Sequence, residues 1–118
     1  MHTMEDLERK LDNLVKEPEN FSLFNQVGVL LYKVKDWKNA ELYFQRDYEL
    51  NPADENTIYN YALLLHQQGQ FHKASKLYQA YLEIDPLDKE VREKAGDCYY
   101  LLGEYEQAVR MYEKLQKE

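Results

Sequence analysis

Apolar residues recur along most of the chain at the three- and four-residue spacing of helices that bury one face. Three stretches carry this pattern, and each is displaced from the one before it by 34 residues. Their apolar positions are Phe24, Val27, Leu30, Leu31 and Val34, then Ile58, Tyr61, Leu64 and Leu65, then Val91, Ala95, Cys98, Tyr99 and Leu102. Each stretch predicts the first helix of a repeated unit.

A second helix is predicted after each first helix. An aromatic residue begins it, an alanine follows three residues later, and another ring follows four residues after that. These positions are Trp37, Ala40 and Phe44, then Phe71, Ala74 and Tyr78, then Tyr105, Ala108 and Tyr112. An alanine between two rings lets neighbouring helices approach closely while the rings fill the space beside it. Small residues also recur on the first helices, at Gly28, Ala62 and Gly96, and glycines stand in two of the inter-helix turns, at Gly69 and Gly103.

Prolines interrupt the helical pattern at three regularly spaced points. Pro18, Pro52 and Pro86 are separated by two gaps of 34 residues, and each lacks the N–H that helix continuation requires. Two residues after each proline stands a good helix N-cap: Asn20, Asp54 or Asp88. The sequence therefore predicts a corner that is used three times. Irregular spacing would instead have favoured an ordinary antiparallel helix bundle.

These residues at this spacing resemble the tetratricopeptide repeat (TPR) family. The resemblance covers nearly everything from Phe21 onward, and it implies an all-α, right-handed α-solenoid of three helix-turn-helix units. It divides the chain into an N-terminal capping helix and corner (1–20), TPR 1 (21–54), TPR 2 (55–88) and a truncated TPR 3 (89–118), in one structural domain. A pentatricopeptide array, which reads RNA, is disfavoured by the 34-residue step and the acidic charge.

The chain departs from the TPR pattern in two ways. Asp47 and Tyr81 stand five residues before a proline, where the family has a small residue, so looser or re-angled packing is expected there. The third unit has no closing proline and no extra solvating helix. An open apolar end is therefore expected at Met111, Tyr112 and Leu115, either for self-association as a homo-oligomer or because the chain was cut from a longer protein.

A further amphipathic helix is predicted before the first repeat. Its apolar stripe consists of Met4, Leu7, Leu11, Leu14 and Val15. Because the ends of a solenoid need a cover over their exposed core face, this helix is expected to cap TPR 1.

Composition limits the classes of partner. The chain has 118 residues, a net charge of −7 and no basic patch, so it is expected to repel nucleic-acid phosphates and anionic lipid. Its longest apolar runs fall far below the roughly 20 residues of a membrane helix, and no signal sequence is present. Cys98 is the single cysteine, which suits a reducing compartment. The expectation is a cytoplasmic chain with neither nucleic acid nor membrane as partner.

No catalytic or metal-binding pattern is found in the sequence. Ser22 and Ser75 lack a Gly-x-Ser-x-Gly context, and His66 and His72 lack a ligand at metal-binding spacing. Cys98 lies in the predicted core, where an inert buried thiol is expected. We therefore expect no enzyme, no cofactor and no metal.

The TPR resemblance implies that the first helices line a concave groove. By phase, its wall consists of Asn25, Val29, Tyr32, Asn56, Tyr59, Asn60, Leu63, His66, Glu90, Glu93, Lys94, Asp97 and Tyr100, with Ser22, Lys33, Gln67 and Leu101 beside them. Asparagine amides suit an extended peptide backbone, and tyrosines give contact area with few rotors. The wall becomes acidic in TPR 3, which favours a peptide with an apolar anchor and a Lys or Arg at that end. Alternatively, the tyrosines only fill space between helices.

One family-specific site can be compared residue by residue. The TPR domains of co-chaperones bind C-terminal carboxylates with a Lys, Asn and Arg clamp, and the matching positions are Asn25, Val29, Asn60, Glu90 and Lys94. Asn60 and the conservative Lys94 fit this clamp, whereas Glu90 would repel a carboxylate. Clamp function is therefore not expected.

Three functions are compatible with these features of the sequence. The leading hypothesis is a non-catalytic module that binds a peptide or protein element in the groove. The alternatives are a self-assembling scaffold and a regulatory TPR segment of a longer polypeptide, each associating through the open end. Secretion chaperones made of three TPRs are a version of the first hypothesis that no feature of the sequence selects.

Overall fold

A computed structural model describes the backbone of residues 2–116 and the side chains of residues 2–20 and 22–115. Within these residues the chain forms seven helices and no strand. The helices are α1 (His2–Lys16), α2 (Phe21–Lys33), α3 (Trp37–Leu50), α4 (Glu55–Gln67), α5 (Phe71–Ile84), α6 (Lys89–Leu101) and α7 (Tyr105–Gln116). The second helices begin at the three aromatic residues that the sequence pattern marks. None of the described helices has the length and apolar character needed to cross a membrane.

Contacts divide the chain into two compact units, one ending at Asn60 and the other beginning at Tyr61. They are referred to below as the N-terminal half and the C-terminal half. In the N-terminal half, α2 packs against α1 and α3. In the C-terminal half, α6 packs against α5 and α7. The single structural domain expected from the sequence stays a prediction.

The core consists mainly of the residues that the helical spacing selects, and it also includes Leu23 and Leu77. Buried on the first helices are Phe24, Val27, Leu30, Leu31, Ile58, Leu64, Leu65, Val91, Ala95, Cys98 and Tyr99. Ala40, Ala74 and Ala108 are buried on the second helices. Three predicted positions are less covered, since Val34 and Tyr61 are half-buried and Leu102 is exposed. On α1, Leu7 is buried while Val15 is 82% exposed, so the stripe of that helix is narrower than predicted.

Two glycines allow paired helices to approach each other. A Cβ added at Gly28 would lie 2.5 Å from a ring carbon of Phe44, and one added at Gly96 would lie 2.6 Å from a ring carbon of Tyr112. These separations are far below ordinary van der Waals contact, so no side chain fits at either position without displacing the ring. The spacing of α2 to α3 and of α6 to α7 therefore depends on the missing Cβ.

The three inter-helix turns share one geometry. The N–H of Asp36, Gln70 and Glu104 donates to the carbonyl five residues earlier in each case, which is the long bond of a Schellman motif. Gly69 and Gly103 have φ of 77° and 79°, the left-handed conformation that the sequence predicts. Lys35 has the equivalent conformation in the first turn, with φ of 65°, although its side chain disfavours it.

The corners after Pro52 and Pro86 carry the predicted N-caps. Asp54 Oδ1 accepts a hydrogen bond from the Thr57 N–H at 3.0 Å, and Asp88 Oδ1 accepts one from the Val91 N–H at 3.0 Å. Asn20 occupies the predicted N-cap position of α2. Its side chain makes no capping bond and instead accepts a hydrogen bond from the Ser22 hydroxyl at 2.8 Å. The Asn20 oxygen is thus bonded to the serine hydroxyl and to no backbone N–H of α2.

Asp47 is buried, with 2% of its surface exposed. The Thr57 hydroxyl donates to its Oδ2 at 2.6 Å. Burial raises the pKa of Asp47, the hydrogen bond from Thr57 opposes this shift, and the charge of Asp54 adds to it. The acid at the family's small-residue position is thus held by a hydroxyl from the next helix.

The contact of Gly28 with the Phe44 ring predicts that Gly28→Ala lowers the free energy of unfolding. Gly→Ala in a helix normally stabilises by roughly 0.5–1 kcal/mol. We expect Gly28→Ala to destabilise the protein by about 1–3 kcal/mol instead, because the new methyl overlaps the ring. Urea unfolding followed by circular dichroism measures the effect. Adding Phe44→Leu should recover part of the loss, and a stabilised Gly28→Ala variant would contradict the packing described.

The burial of Asp47 predicts a pH dependence. Because its folded pKa lies above the ordinary aspartate value of 3.8, the folded state holds the proton more tightly than the unfolded state does. Its contribution to the free energy of unfolding therefore falls as pH rises through the interval above 3.8. We expect Asp47→Asn to lack this fall, so that the variant gains stability relative to wild type between acid and neutral pH. A difference between the two proteins that is constant with pH would refute this.

Candidate functional site

The groove positions assigned by phase all lie on accessible faces of their helices. None of the thirteen is buried. Asn25, Val29, Tyr32, Tyr59, Asn60, Leu63, His66, Lys94 and Asp97 are half-buried, and Asn56, Glu90, Glu93 and Tyr100 are exposed. The core positions on the same helices are buried, so the two sets separate by helical phase. Their role in binding stays a prediction.

In the N-terminal half, two of these residues are hydrogen-bonded to each other. Asn60 Nδ2 on α4 donates to Asn25 Oδ1 on α2 at 3.1 Å. The bond uses the amide oxygen of Asn25 and the amide nitrogen of Asn60. It leaves the nitrogen of Asn25 as a donor and the oxygen of Asn60 as an acceptor. An extended peptide backbone requires one of each. Tyr32 packs edge-on against Trp37, with ring centroids 5.1 Å apart.

An open polar cleft adjoins these asparagines. Its volume is about 430 Å³. It is lined by Ser22, Asn25, Gln26, Asp47, Asn51, Asp54, Asn56 and Thr57. The two aspartates are the charged residues of this lining. The Lys10 ammonium on α1 donates to the side-chain oxygen of Gln26, one of the lining residues.

A second cavity of the N-terminal half is largely apolar. It has a volume of about 310 Å³ and is lined by Leu14, Pro18, Phe24, Leu42, Tyr43 and Arg46. These residues come from α1, α2, α3 and the corner after α1, and none belongs to the predicted groove. No pattern in the sequence indicated this cavity.

In the C-terminal half, His66 joins an aromatic cluster. Its Nδ1 lies 2.9 Å from the Tyr78 hydroxyl, and its ring meets those of Phe71 and Tyr78 edge-on. Burial lowers the pKa of His66, and the positive charge of Lys94 lowers it further, whereas Asp97 opposes the shift. The neutral imidazole is therefore favoured.

Asp97 is paired with a residue of the second helix. The Tyr112 hydroxyl donates to Asp97 Oδ1 at 2.5 Å. Burial, followed by the interaction with Asp97, raises the pKa of Tyr112 to about 12. The ring of Tyr112 is the one that packs over Gly96. Tyr112 is therefore a half-buried structural contact within its own repeat.

The predicted self-association surface differs from the apolar surface that is accessible. Met111, Tyr112 and Leu115 are each half-buried. Tyr105 on the same helix is 60% exposed and Val109 is 50% exposed. Self-association through α7 stays a prediction. The most accessible apolar residues of this helix, Tyr105 and Val109, lie four positions apart.

The described residues include neither an exposed thiol nor a group of metal ligands. Cys98 is fully buried, and burial raises the pKa of its thiol to about 11, which opposes formation of the nucleophilic thiolate. Within residues 2–116, no three His, Cys, Asp or Glu side chains come together as metal ligands.

Comparison with solved structures identifies the fold class of the chain. A structure of MamA AMB-1 matches with a TM-score of 0.86 at 21% identity, covering 94% of this chain and 61% of that one. Another MamA structure matches with a TM-score of 0.89 at 19% identity, covering 98% and 67%. YrrB, described as a TPR protein with an unusual peptide-binding site, matches with a TM-score of 0.85 at 28% identity, covering 97% and 59%. The chain thus spans about three fifths to two thirds of their length, and the matches confirm an all-α solenoid of the TPR type.

A family model supports the same conclusion from sequence. The model described as anaphase-promoting complex, cyclosome, subunit 3 matches residues 33–115, which is well over half of the chain. These residues include the second helix of the first repeat and nearly all of the following two repeats. The chain therefore belongs to this TPR-type family, anaphase-promoting complex, cyclosome, subunit 3.

Proposed function

We propose that this chain is a non-enzymatic, cytoplasmic module that needs no cofactor and binds an extended peptide, or a peptide-like segment of a protein, on the accessible faces of its first helices. As a TPR-type chain it is a protein-interaction module. The observation that carries the finer proposal is the accessibility of all thirteen residues selected by phase, with Asn25, Asn56 and Asn60 close together in the N-terminal half.

The side chains in the N-terminal half suit a peptide backbone. An extended segment has N–H and C=O groups that alternate and need partners, and an asparagine amide offers both a donor and an acceptor. Tyr59 on α4 adds an amphipathic ring that loses little rotamer freedom on binding. Affinity in this region would therefore come from amide hydrogen bonds together with one aromatic contact.

The C-terminal half adds charge. Glu90 and Glu93 are exposed on α6, and the net charge of the chain is −7. Carboxylates on the rim of an interface mainly increase the rate of association and select partners of opposite charge. A segment that carries basic residues is the favoured partner on this account.

The likeness to YrrB supports the class of ligand. YrrB is described as a TPR protein with an unusual peptide-binding site, and it is 28% identical over 97% of this chain. The MamA structures, at 19–21% identity, bear on the fold alone.

Loss of binding on substitution at the first-helix face tests the proposal. Peptides are selected from a random display library on the purified chain, and affinity for a selected peptide is measured by fluorescence anisotropy. Tyr59→Ala combined with Asn60→Ala should weaken it at least about tenfold, since a ring contact and an amide pair are lost together. Circular dichroism checks that the variant is folded.

A matched control lies on a second helix. Leu42→Ala combined with Gln45→Ala changes two exposed residues of α3 and should leave affinity unchanged. Failure of the library to yield any specific peptide, or an equal loss in both double variants, would refute the first-helix proposal.

Self-association is a second candidate, favoured by the exposed apolar residues on α7. Leu101 at the end of α6 is 55% exposed, and Tyr105 and Val109 follow it on α7. An assembly through this face would cover side chains that otherwise contact water.

Light scattering at increasing protein concentration tests this second candidate. If α7 joins two copies, Tyr105→Glu with Val109→Glu should give a monomeric mass while peptide affinity is retained. Met111→Glu with Leu115→Glu should act more weakly, because those residues are half-buried within the fold. A monomeric mass of the wild type at every concentration would exclude self-association.

A further inference from the structure

The exposed apolar residues of the N-terminal half lie on α1 and α3. They are Met4 and Val15 on α1, and Leu42 and Leu50 on α3. Of the side chains described in this half, those of α2 include no exposed large apolar residue. An apolar surface is therefore in contact with water on helices that the first-helix hypothesis does not use.

The apolar cavity of about 310 Å³ lies within this surface. Leu14 of α1 and Leu42 of α3 line it, together with the rings of Phe24 and Tyr43, whose centroids are 6.3 Å apart. Because Phe24 is buried, the cavity reaches the core of this half. It is large enough for an aromatic side chain, which would gain apolar contacts on several sides.

Arg46 is the charged residue of this lining. Within the described part of the chain its guanidinium makes neither a hydrogen bond nor an ion pair, whereas that of Arg9 pairs with Asp6. Arg46 follows Leu42 by four residues, so the two side chains share one face of α3. An occupant with an aromatic ring and an adjacent carboxylate would match both the cavity and its cation.

The C-terminal half exposes a segment with this chemistry. Tyr105, the first residue of α7, is exposed, and the exposed acids Glu104 and Glu106 stand on either side of it. Its ring touches that of Tyr100 edge-on, with centroids 5.5 Å apart, and stays exposed despite this contact. The Glu106 carboxylate makes no ion pair with a described residue. Val109 adds an exposed apolar side chain four residues after Tyr105.

Charge distinguishes two ways in which α7 can join two copies. A symmetric contact of α7 with α7 would bring Glu104 and Glu106 of both copies to one surface, where like charges oppose association. A contact of α7 with the apolar cavity instead places these acids beside the unpaired guanidinium of Arg46. Because each copy carries a net charge of −7, such a local pairing of opposite charges is needed.

We propose that the apolar cavity of one copy receives Tyr105 of a second copy, with the Glu106 carboxylate paired to the Arg46 guanidinium. This inference rests on the second candidate function, self-association through α7, and names the surface against which α7 packs. The two surfaces belong to different halves of the chain, so the contact is heterologous. Each bound pair then has one unused cavity and one unused α7, and the copies add head to tail.

Two variants that each lose one side of the contact test this proposal. Leu42→Glu with Arg46→Glu changes the cavity, and Tyr105→Glu with Val109→Glu changes α7. All four residues are exposed, and circular dichroism checks that both variants are folded. In light scattering the mass of the wild type should rise past that of a dimer, and each variant alone should be monomeric. Their equimolar mixture should form a dimer and nothing larger, because one intact cavity meets one intact α7.

NMR on the same mixture locates the contact. When the α7 variant carries the ¹⁵N label, the shifted amides should lie on α3 near Leu42 and Arg46 and on α1 near Leu14. When the cavity variant carries the label, they should lie near Tyr105 on α7. Shifts at α7 in both samples, or at neither surface, would contradict the assignment.

A charge exchange tests the ion pair. Arg46→Glu alone should weaken self-association at least about tenfold, because an acid then faces the acids of α7. Adding Glu104→Arg and Glu106→Arg to that chain should restore the dissociation constant to within a few fold of the wild type. Lys38→Glu is the matched control, since Lys38 is an exposed cation of α3 outside the cavity lining, and it should associate as the wild type does.

Three results would overturn the proposal. The first is a mixture of the two variants that stays monomeric. The second is a cavity variant that associates like the wild type, which would leave self-association through α7 in place and remove the cavity as its partner surface. The third is a wild type that is monomeric at every concentration, which would remove both. Peptide affinity is measured separately, so none of these results bears on binding at the first helices.

Discussion

The close approach of a first helix to the second helix of the same repeat is the constraint on which the rest of the structure depends. In the first and third repeats it is achieved by the absence of a Cβ at Gly28 under the Phe44 ring and at Gly96 under the Tyr112 ring. Once each ring lies over a glycine, the helical phase of both helices is set. The apolar stripe turns inward, and the remaining face of the first helix is left accessible. The accessibility of the candidate binding residues is thus a consequence of how the helix pairs pack.

The specific properties of the chain come from polar residues that depart from the repeated pattern. A TPR corner needs a proline to end one helix and a cap to begin the next, and both corners of the described repeats supply them. They differ in the residue five positions before the proline. Tyr81 satisfies its neighbouring aspartate, whereas Asp47 adds a second acid beside an open cleft. One substitution in an otherwise repeated pattern therefore gives the two corners different hydrogen-bond networks.

Periodicity was sufficient to predict the helices, their starts and most of the core, because burial of an apolar stripe determines helical phase. Residue type alone was less informative about hydrogen-bond partners. Asn20 has the right chemistry for a cap, but the neighbouring Ser22 hydroxyl occupies its oxygen. Lys35 adopts the left-handed conformation without being a glycine, in a turn closed by the same backbone hydrogen bond as the two glycine turns.

The candidate site could be predicted only in part. Phase placed Asn25, Asn56 and Asn60 on accessible faces, but it could not show that two of them are hydrogen-bonded together. The cleft was missed because its acids come from α3 and the corner, outside the first-helix positions. The departure of Asp47 from the family pattern, together with a threonine at position 57, was the available signal. The sequence alone does not show that the side chains of Asp47 and Thr57 are hydrogen-bonded to each other.

Cross-saturation NMR on the chain bound to a display-selected peptide tests the central claim most directly, because it identifies the amides that lie against the ligand. If the first-helix faces bind the peptide, the attenuated signals will include those of Asn25, Asn56 and Asn60 on α2 and α4. Attenuation confined to α3, α5 and α7 would show that the second helices form the binding surface, and it would contradict the account.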